Sequence, residues 1–376
     1  MQPLQYLLML MTLSLTACAA PNNTPDVASS AAIQAPADAT ASTGTEIISC
    51  ADAPGYIAPT DIMIEAKPVP LWPEGKTGAL PPNVNFSGGW ELTSPNSGFG
   101  GLSGIEVLPN GNLLTVSDDG AFVWIEMRQG VPSGSGQIAF MRGANGTYLH
   151  GKTEADAEGL SLADGLAYVS FERQHRIEAF DLDKCGAASR AKLITALADT
   201  IEGTAIPSNR GPEALASEGN LIAGYEQLVD GKSPIVTRHV SGTVISLLPA
   251  LADKFDGPLT GMTNPTPIGE DSNAGTVSYF LRRRYNPILG NLITVEARSA
   301  DASHGHNSGA AEALFKLSRP MNVDNFEGIT SKTLNPGTHR LWLISDDNFS
   351  DRQRTLLFVF DVDLTAGDRR SEQPAD

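Results

Sequence analysis

Along most of this chain, apolar and polar positions alternate in short runs broken by turn residues. The clearest stretch is Ser103-Gly104-Ile105-Glu106-Val107, then a turn at Asn110-Gly111, then Leu113-Leu114-Thr115-Val116-Ser117. Asn-Gly between alternating runs signals a β-hairpin, because both residues accept the positive φ of a tight turn. Residues 121–127 and 137–142 supply two more strand-like runs and complete a four-strand unit. The same grammar returns in residues 158–162, a turn at Asp164-Gly165, and 166–173. It returns again in 213–216, a turn at Gly219-Asn220, and 221–227, and less regularly from 260 to 317 and from 325 to 363. No amphipathic helical run of useful length interrupts it.

Each unit opens on one phrase: a polar or acidic residue, a small residue, an apolar residue. The five copies are Ser103-Gly104-Ile105, Glu158-Gly159-Leu160, Glu213-Ala214-Leu215, Thr260-Gly261-Met262 and Glu327-Gly328-Ile329, spaced 55, 55, 47 and 67 residues apart. That period, with about four short strands per unit, predicts an all-β fold, a β-propeller. Five repeats are counted. A sixth would have to come from the long fourth period or from residues 50–86. The competing fold is a β-sandwich, or two β domains. The fifth unit has three strands of its own, so Gly88-Gly89-Trp90-Glu91-Leu92 is expected to supply its fourth and close the ring, removing exposed edges. Residues 57–72, with Pro59, Pro68 and Pro70, read as an irregular lead-in. The propeller is expected over residues 48–366, with a polar, disordered tail over 367–376.

Four of the strands after these phrases end in acid: Asp118-Asp119, Glu172, Glu226 and Asp346-Asp347. In a propeller the inner strands line one central channel, so these acids and Glu158, Glu213 and Glu327 would converge there, and converging carboxylates need cations. Asp118, Asp119, Glu172, Glu226, Asp346 and Asp347 are the candidate metal ligands. Hard oxygen donors in flexible loops favour Ca²⁺, with Mg²⁺ second. Asp-Asp-Gly and Asp-Asp-Asn are also turn sequences, which leaves a purely structural reading open. Arg173 follows Glu172, and Arg282-Arg283-Arg284 ends the fourth unit's strand where other units place acid. Guanidinium groups bind phosphate or carboxylate through paired hydrogen bonds, or form structural ion pairs. Consecutive arginines in a strand must face both sides.

Composition narrows the partners. Of 376 residues 43 are acidic and 26 basic, a formal charge of −17, which excludes a nucleic-acid partner because phosphate backbones require a basic face. Leu4 to Leu15 is apolar and leads to Leu15-Thr16-Ala17-Cys18. This resembles a bacterial lipoprotein signal over residues 1–18, with Cys18 lipidated, although residues 1–10 lack the usual Lys or Arg; a plain secretory signal is the alternative. Residues 19–47 contain no aromatic residue and are expected to form a disordered tether. These features predict a periplasm-facing, lipid-anchored protein of the bacterial cell envelope. Ala19 is not the Asp that holds lipoproteins in the inner membrane, which favours the outer membrane. Cys50 and Cys185 remain, either as one disulfide or as two buried thiols.

Several catalytic signatures are missing. Gly101-Leu102-Ser103-Gly104-Ile105 lacks the final glycine of a nucleophile elbow, no phosphate-binding P-loop is present, and Arg238-His239-Val240 lacks the glycine of histidine phosphatases. His304-Gly305-His306 could offer two imidazoles from a small-residue loop. The segments LSGIEVLPNGNLLTVSDDG, DAEGLSL with YVSFERQHRIEAFDL, NRGPEALA, FLRRRYNP, FEGI and LWLISDDNFSDRQRTLLFVFDV resemble the bacterial phytase-like family, over roughly residues 88–362. The resemblance implies a secreted or envelope protein with a propeller-like fold and phosphomonoester or other ester hydrolysis. The family pattern offers Glu where this chain has Arg282, which implies one cation ligand fewer and one positive charge more. On this reading Glu158, Glu213, Glu327, Arg173 and Arg283 carry catalysis on a small phosphorylated or ester substrate, with a cation supplying the activation. The alternative is a noncatalytic envelope propeller that binds a ligand or partner. The oligomeric state is left open.

Overall fold

The computed structural model describes Cys50 and residues 55–239, 242–248, 257–269, 275–300 and 312–366. Cys18, the tether, the polar tail and the His304/His306 pair lie outside these residues. The described chain forms five antiparallel blades around a channel. Their inner strands are Leu102–Val107, Ala157–Ala163, Pro212–Ser217, Leu259–Met262 and Asn325–Asn335. Each inner strand neighbours the next and the fifth neighbours the first, so the ring is closed.

The recurring phrase is where each inner strand breaks its alternation. Pairing with the second strand shifts register between Leu102 and Ile105, Ala157 and Leu160, Pro212 and Ala214, Leu259 and Gly261, and Phe326 and Gly328. Residues three apart on a regular strand face opposite sides. The bulge instead returns Leu102 and Ile105 to one apolar core, and likewise Ala157 and Leu160, Leu259 and Met262, and Phe326 and Ile329. The polar member of each phrase is left over, on the channel side. Five apolar clusters fill the five gaps between adjacent blades.

The small residue of the phrase sets how closely the blades approach. A Cβ at Gly104 would stand 2.7 Å from the Glu158 carbonyl oxygen, at Gly159 2.9 Å from that of Glu213, at Gly261 2.5 Å from that of Glu327, and at Gly328 2.1 Å from that of Ser103. Each glycine therefore lets its strand lie against the backbone of the next blade.

Closure is as the incomplete fifth unit implied. Val84–Thr93 pairs with Thr355–Asp363, with Trp90 opposite Leu357 and Gly89 opposite Phe358. The lead-in is more ordered than its prolines suggested. Thr60–Met63 adds an edge strand to the first blade and Glu65–Pro68 adds one to the fifth. Edge strands accept proline because one side of their ladder is unpaired. Ile64, between them, is 1 % exposed and packs in the core joining those two blades. Cys50 and Cys185 form a disulfide that ties the start of the domain to the short helix Leu182–Cys185 of the second blade.

At the end of the channel away from the phrases, a polar hub joins all five blades. Asn264 donates to Glu106 Oε1 (2.9 Å), and its Oδ1 accepts from Ser161 Oγ (2.9 Å) and Ser217 N (2.7 Å). Thr330 donates to the other Glu106 oxygen at 2.9 Å. Burial pushes Glu106 up to about 7, against the hydrogen bonds it accepts from Thr330 and the Leu162 amide.

Replacing Gly328 by Ala tests whether close approach holds the ring. The new methyl meets a backbone carbonyl that no rotamer change can move, so urea unfolding should show a loss of about 3 kcal/mol or more. Ala at Gly143, a glycine that like Gly328 lacks a positive φ but whose Cβ would meet nothing closer than 3.4 Å, serves as the comparison. Equal losses in the two variants would mean that blade approach is not limiting.

Candidate cation site and adjoining cavity

The bulges bring Glu158, Glu213 and Glu327 together: one carboxylate oxygen from each lies within 4.8 Å of the others, and all three residues are buried. A second triad of Asp156, Glu158 and Glu172 meets the same limit. Asp118 and Asp346 are buried alongside, and Glu226 is half-buried at the rim. Burial raises Glu158 and Glu213 well above the ordinary range, and neighbouring carboxylates push them further. Burial also raises Asp118, lifts Glu172 to about 7 and lifts Asp346 to about 9.

The two triads are not equivalent. Both oxygens of Asp156 already have cationic partners: Lys152 Nζ at 2.8 Å and Arg173 Nε at 2.9 Å. Lys152 also binds Asp118, and Glu172 accepts from the Gly211 amide at 2.7 Å. That half of the cluster is neutralised by the protein itself. In the other half, the charged groups acting most strongly on Glu158 and Glu213 are further carboxylates. Glu327 has Arg283 at 3.1 Å and Asn325 at 2.8 Å. Eight acids (Asp118, Asp156, Glu158, Glu172, Glu213, Glu226, Glu327, Asp346) thus face three cationic side chains (Lys152, Arg173, Arg283). The donors are all hard oxygens, the set that suits Ca²⁺ or Mg²⁺. In the first blade the position of the phrase acid is taken by Ser103, 1 % exposed, whose Oγ has no partner among the described residues.

Not every acid expected here arrives. Asp119 is exposed in the turn after its strand. Asp347 is occupied structurally: Oδ1 accepts from the Gly101 and Phe349 amides at 2.9 and 3.0 Å, and Oδ2 accepts from Thr355 Oγ1 at 2.8 Å. Both correct the expected ligand set; in each Asp-Asp pair only the first residue reaches the cluster. Arg173 is held by Asp156, on the neutralised side. Arg282 brings no charge to the channel. It is buried against Glu296 and donates to Ser233 Oγ at 2.8 Å and the Gly257 carbonyl at 3.2 Å. Arg283, the next residue along the strand, is the one that enters the cluster. Asp156, Lys152 and Asn325 escaped sequence reasoning. Asp156 carried a usable signal, standing two residues before Glu158, as did the four-residue spacing of Lys152, on the helix Gly151–Ala155, and Asp156, at its C-cap.

A cavity of about 590 Å³ opens beside the ring, between the fourth and fifth blades, and Arg283, Asn325 and Glu327 line both it and the cluster.

Five blades around a channel with carboxylates converging at one mouth define a β-propeller with an acidic cluster that could hold a metal ion. The chain belongs to the phytase-like family, described as esterase-like activity of phytase, whose family model matches residues 97–349. Among solved structures it is similar to PQQ-bound aldose sugar dehydrogenase from Streptomyces coelicolor, with 13 % identity, a TM-score of 0.40, and coverage of 75 % of this chain and 100 % of that one. It is also similar to the calcium structure of the Trichoderma reesei carbohydrate-active enzyme of family AA12, with 9 % identity, a TM-score of 0.39, and coverage of 75 % and 96 %. No curated protein matches the chain.

The raised carboxyls fix the sign of a pH effect. Above the ordinary carboxylate range and up to about 7 for Glu172 and about 9 for Asp346, the folded protein holds protons that the unfolded chain has released. Stability of the cation-free protein should therefore fall as pH rises through that window. Glu213→Gln, which removes one repelling charge, should flatten the fall. Thermal melts in chelator from about pH 4 to about pH 9 test this, and a constant wild-type Tm would refute it.

Proposed function

We propose that this protein is a divalent-cation-dependent hydrolase of phosphoric or other esters, anchored in the bacterial cell envelope. The observation that carries the reading is the shared wall: Glu327 and Arg283 belong both to the carboxylate ring and to the 590 Å³ cavity. A ligand seated in that cavity presents its end to the ring. A cation held by Glu158, Glu213 and Glu327 would offset their repulsion, polarise the bound ester oxygen and make an adjacent water a better nucleophile. Arg283, tethered by Glu327, orients the anionic group of the ester and stabilises charge that develops on it. Glu172, within 4.8 Å of Glu158, stands where it can take a proton from water beside the triad. Asp156, paired with Lys152 and Arg173, borders the site beside Glu158. No covalent nucleophile is required, in keeping with the missing serine and histidine motifs. Ca²⁺ suits the set better than Mg²⁺, because buried carboxylates of uneven spacing accommodate a larger, less demanding ion.

The test is a screen of phosphomonoesters, phosphodiesters and carboxylic esters with and without calcium. Chelator and Glu213→Gln should each lower kcat by about a hundredfold or more, while calcium raises Tm only in the wild type. Activity that survives both treatments would refute the mechanism. Calcium binding with no ester hydrolysed would instead favour a noncatalytic binding propeller.

The envelope assignment has its own support in Leu15-Thr16-Ala17-Cys18 and in the Cys50–Cys185 disulfide, a bond that persists in oxidising compartments. Metabolic labelling with a fatty-acid analogue should mark the wild type and not Cys18→Ser. Equal labelling would remove the anchor from the proposal.

A further inference from the structure

We propose that the cavity between the fourth and fifth blades contains a second anion subsite, formed by Arg319 and Arg352, and that the ligand therefore carries two anionic groups. One meets the ring at Arg283 and the other, a phosphate or carboxylate, meets the two arginines. The term substrate for this ligand rests on the hydrolase reading above; the subsite itself does not.

Three arginines elsewhere on the described surface have acids: Arg340 holds Asp361 at 2.7 Å, Arg354 holds Asp324 at 3.3 Å, and Arg176 holds Glu178 at 3.0 Å, while Arg142 is held by Tyr148 and backbone carbonyls and Arg210 and Arg238 stand singly. Such pairing is expected in a chain with 43 acids and 26 bases. Among the described residues, the side chains of Arg319 and Arg352 have no hydrogen bond, ion pair or ring contact, and both line this one cavity. Of the two acids on the same wall, Asp324 is already taken by Arg354 and Glu327 by Arg283.

Position adds to pairing. Arg319 Nε would lie 3.1 Å from a Cβ at Gly290, so its guanidinium packs on the turn that follows Thr276–Asn286. Arg352 approaches from the opposite blade, its amide bonded to Ser350 Oγ at 3.4 Å. The two come from different blades to the same space, as a ligand clamp requires. Tyr285, exposed near the end of the strand Thr276–Asn286, gives the wall an aromatic face. A volume of about 590 Å³ falls in the range of small-molecule sites and far exceeds one phosphate. Guanidinium forks bind phosphate or carboxylate through paired, charge-assisted hydrogen bonds, and two forks on one group favour it over water.

The probes are phenylphosphonate and para-phosphonobenzoate, which differ by one carboxylate at the far end of a rigid ring and are not hydrolysed. Their dissociation constants are measured by calorimetry on the calcium-loaded protein and on the Arg319→Ala/Arg352→Ala double variant. Both arginines are exposed, so circular dichroism should show the variant folded. The two-ended probe should bind wild type about tenfold tighter than the one-ended probe, and the ratio should fall to about one in the variant. A ratio near one in the wild type, or a ratio retained in the variant, would overturn the subsite. A preference that the variant abolishes, in a protein that hydrolyses no ester, upholds the subsite and refutes the hydrolase. Ester hydrolysis without the preference does the reverse.

Discussion

The whole arrangement depends on a missing methyl group. At four of the five inner strands a glycine lets the backbone of the next blade come closer than any side chain would permit. That approach closes the ring, and it also forces the residue before each glycine into a narrow space. Where that residue is Glu, carboxylates are buried within 4.8 Å of one another. Five inter-blade cores supply the stability that offsets this repulsion, so the site is a strained feature imposed by a well-packed scaffold. The third blade has Ala214 in place of the glycine, and its contact with the fourth rests on a small cluster built around Ala214, Leu259 and Phe280.

The cluster resolves its repulsion in two ways within a few ångströms. Around Asp156 the protein brings its own cations, Lys152 and Arg173. Around Glu158, Glu213 and Glu327 it brings one, Arg283, from the blade whose own phrase begins with Thr260. The ring is thus lopsided: acids on three blades, hydroxyls on two, and a guanidinium beside one of the hydroxyls. A symmetric ring of five acids would only concentrate charge. This uneven one has a neutralised flank, an acidic centre and a basic side facing the cavity, which gives a ligand a direction.

Much of the architecture was legible because the phrase repeats. The last unit lacked a strand, and Gly89-Trp90 supplied it. What could not be read was orientation. Period-two alternation fails at the bulge, and the only trace of the bulge in the sequence is the spacing of three between residues such as Leu102 and Ile105, or Phe326 and Ile329. For the same reason Asp118 and Asp119 looked interchangeable, as did Asp346 and Asp347. One member of each pair enters the cluster and the other stays in the turn. The three arginines show the limit well. That they must face both sides followed from strand geometry; that Arg282 would meet Glu296 and Arg283 would meet Glu327 depended on strands far away in sequence. The edge strands at Thr60–Met63 and Glu65–Pro68 were hidden by Pro59, just before the first, and Pro68, at the end of the second, which matter little at an unpaired edge.

The disulfide also decides how the domain responds to pulling. The chain passes from Cys50 to the edge strands and the closing strand of the fifth blade, the elements whose loss would open the ring. Tension arriving from the residues before Cys50 meets a covalent path into the second blade first, through Cys185. The hydrogen bonds of Thr60–Met63 and Val84–Thr93 are then in parallel with that path and carry little of the load. A propeller closed by its own N-terminal strand can in this way be held by that end without being unzipped from it.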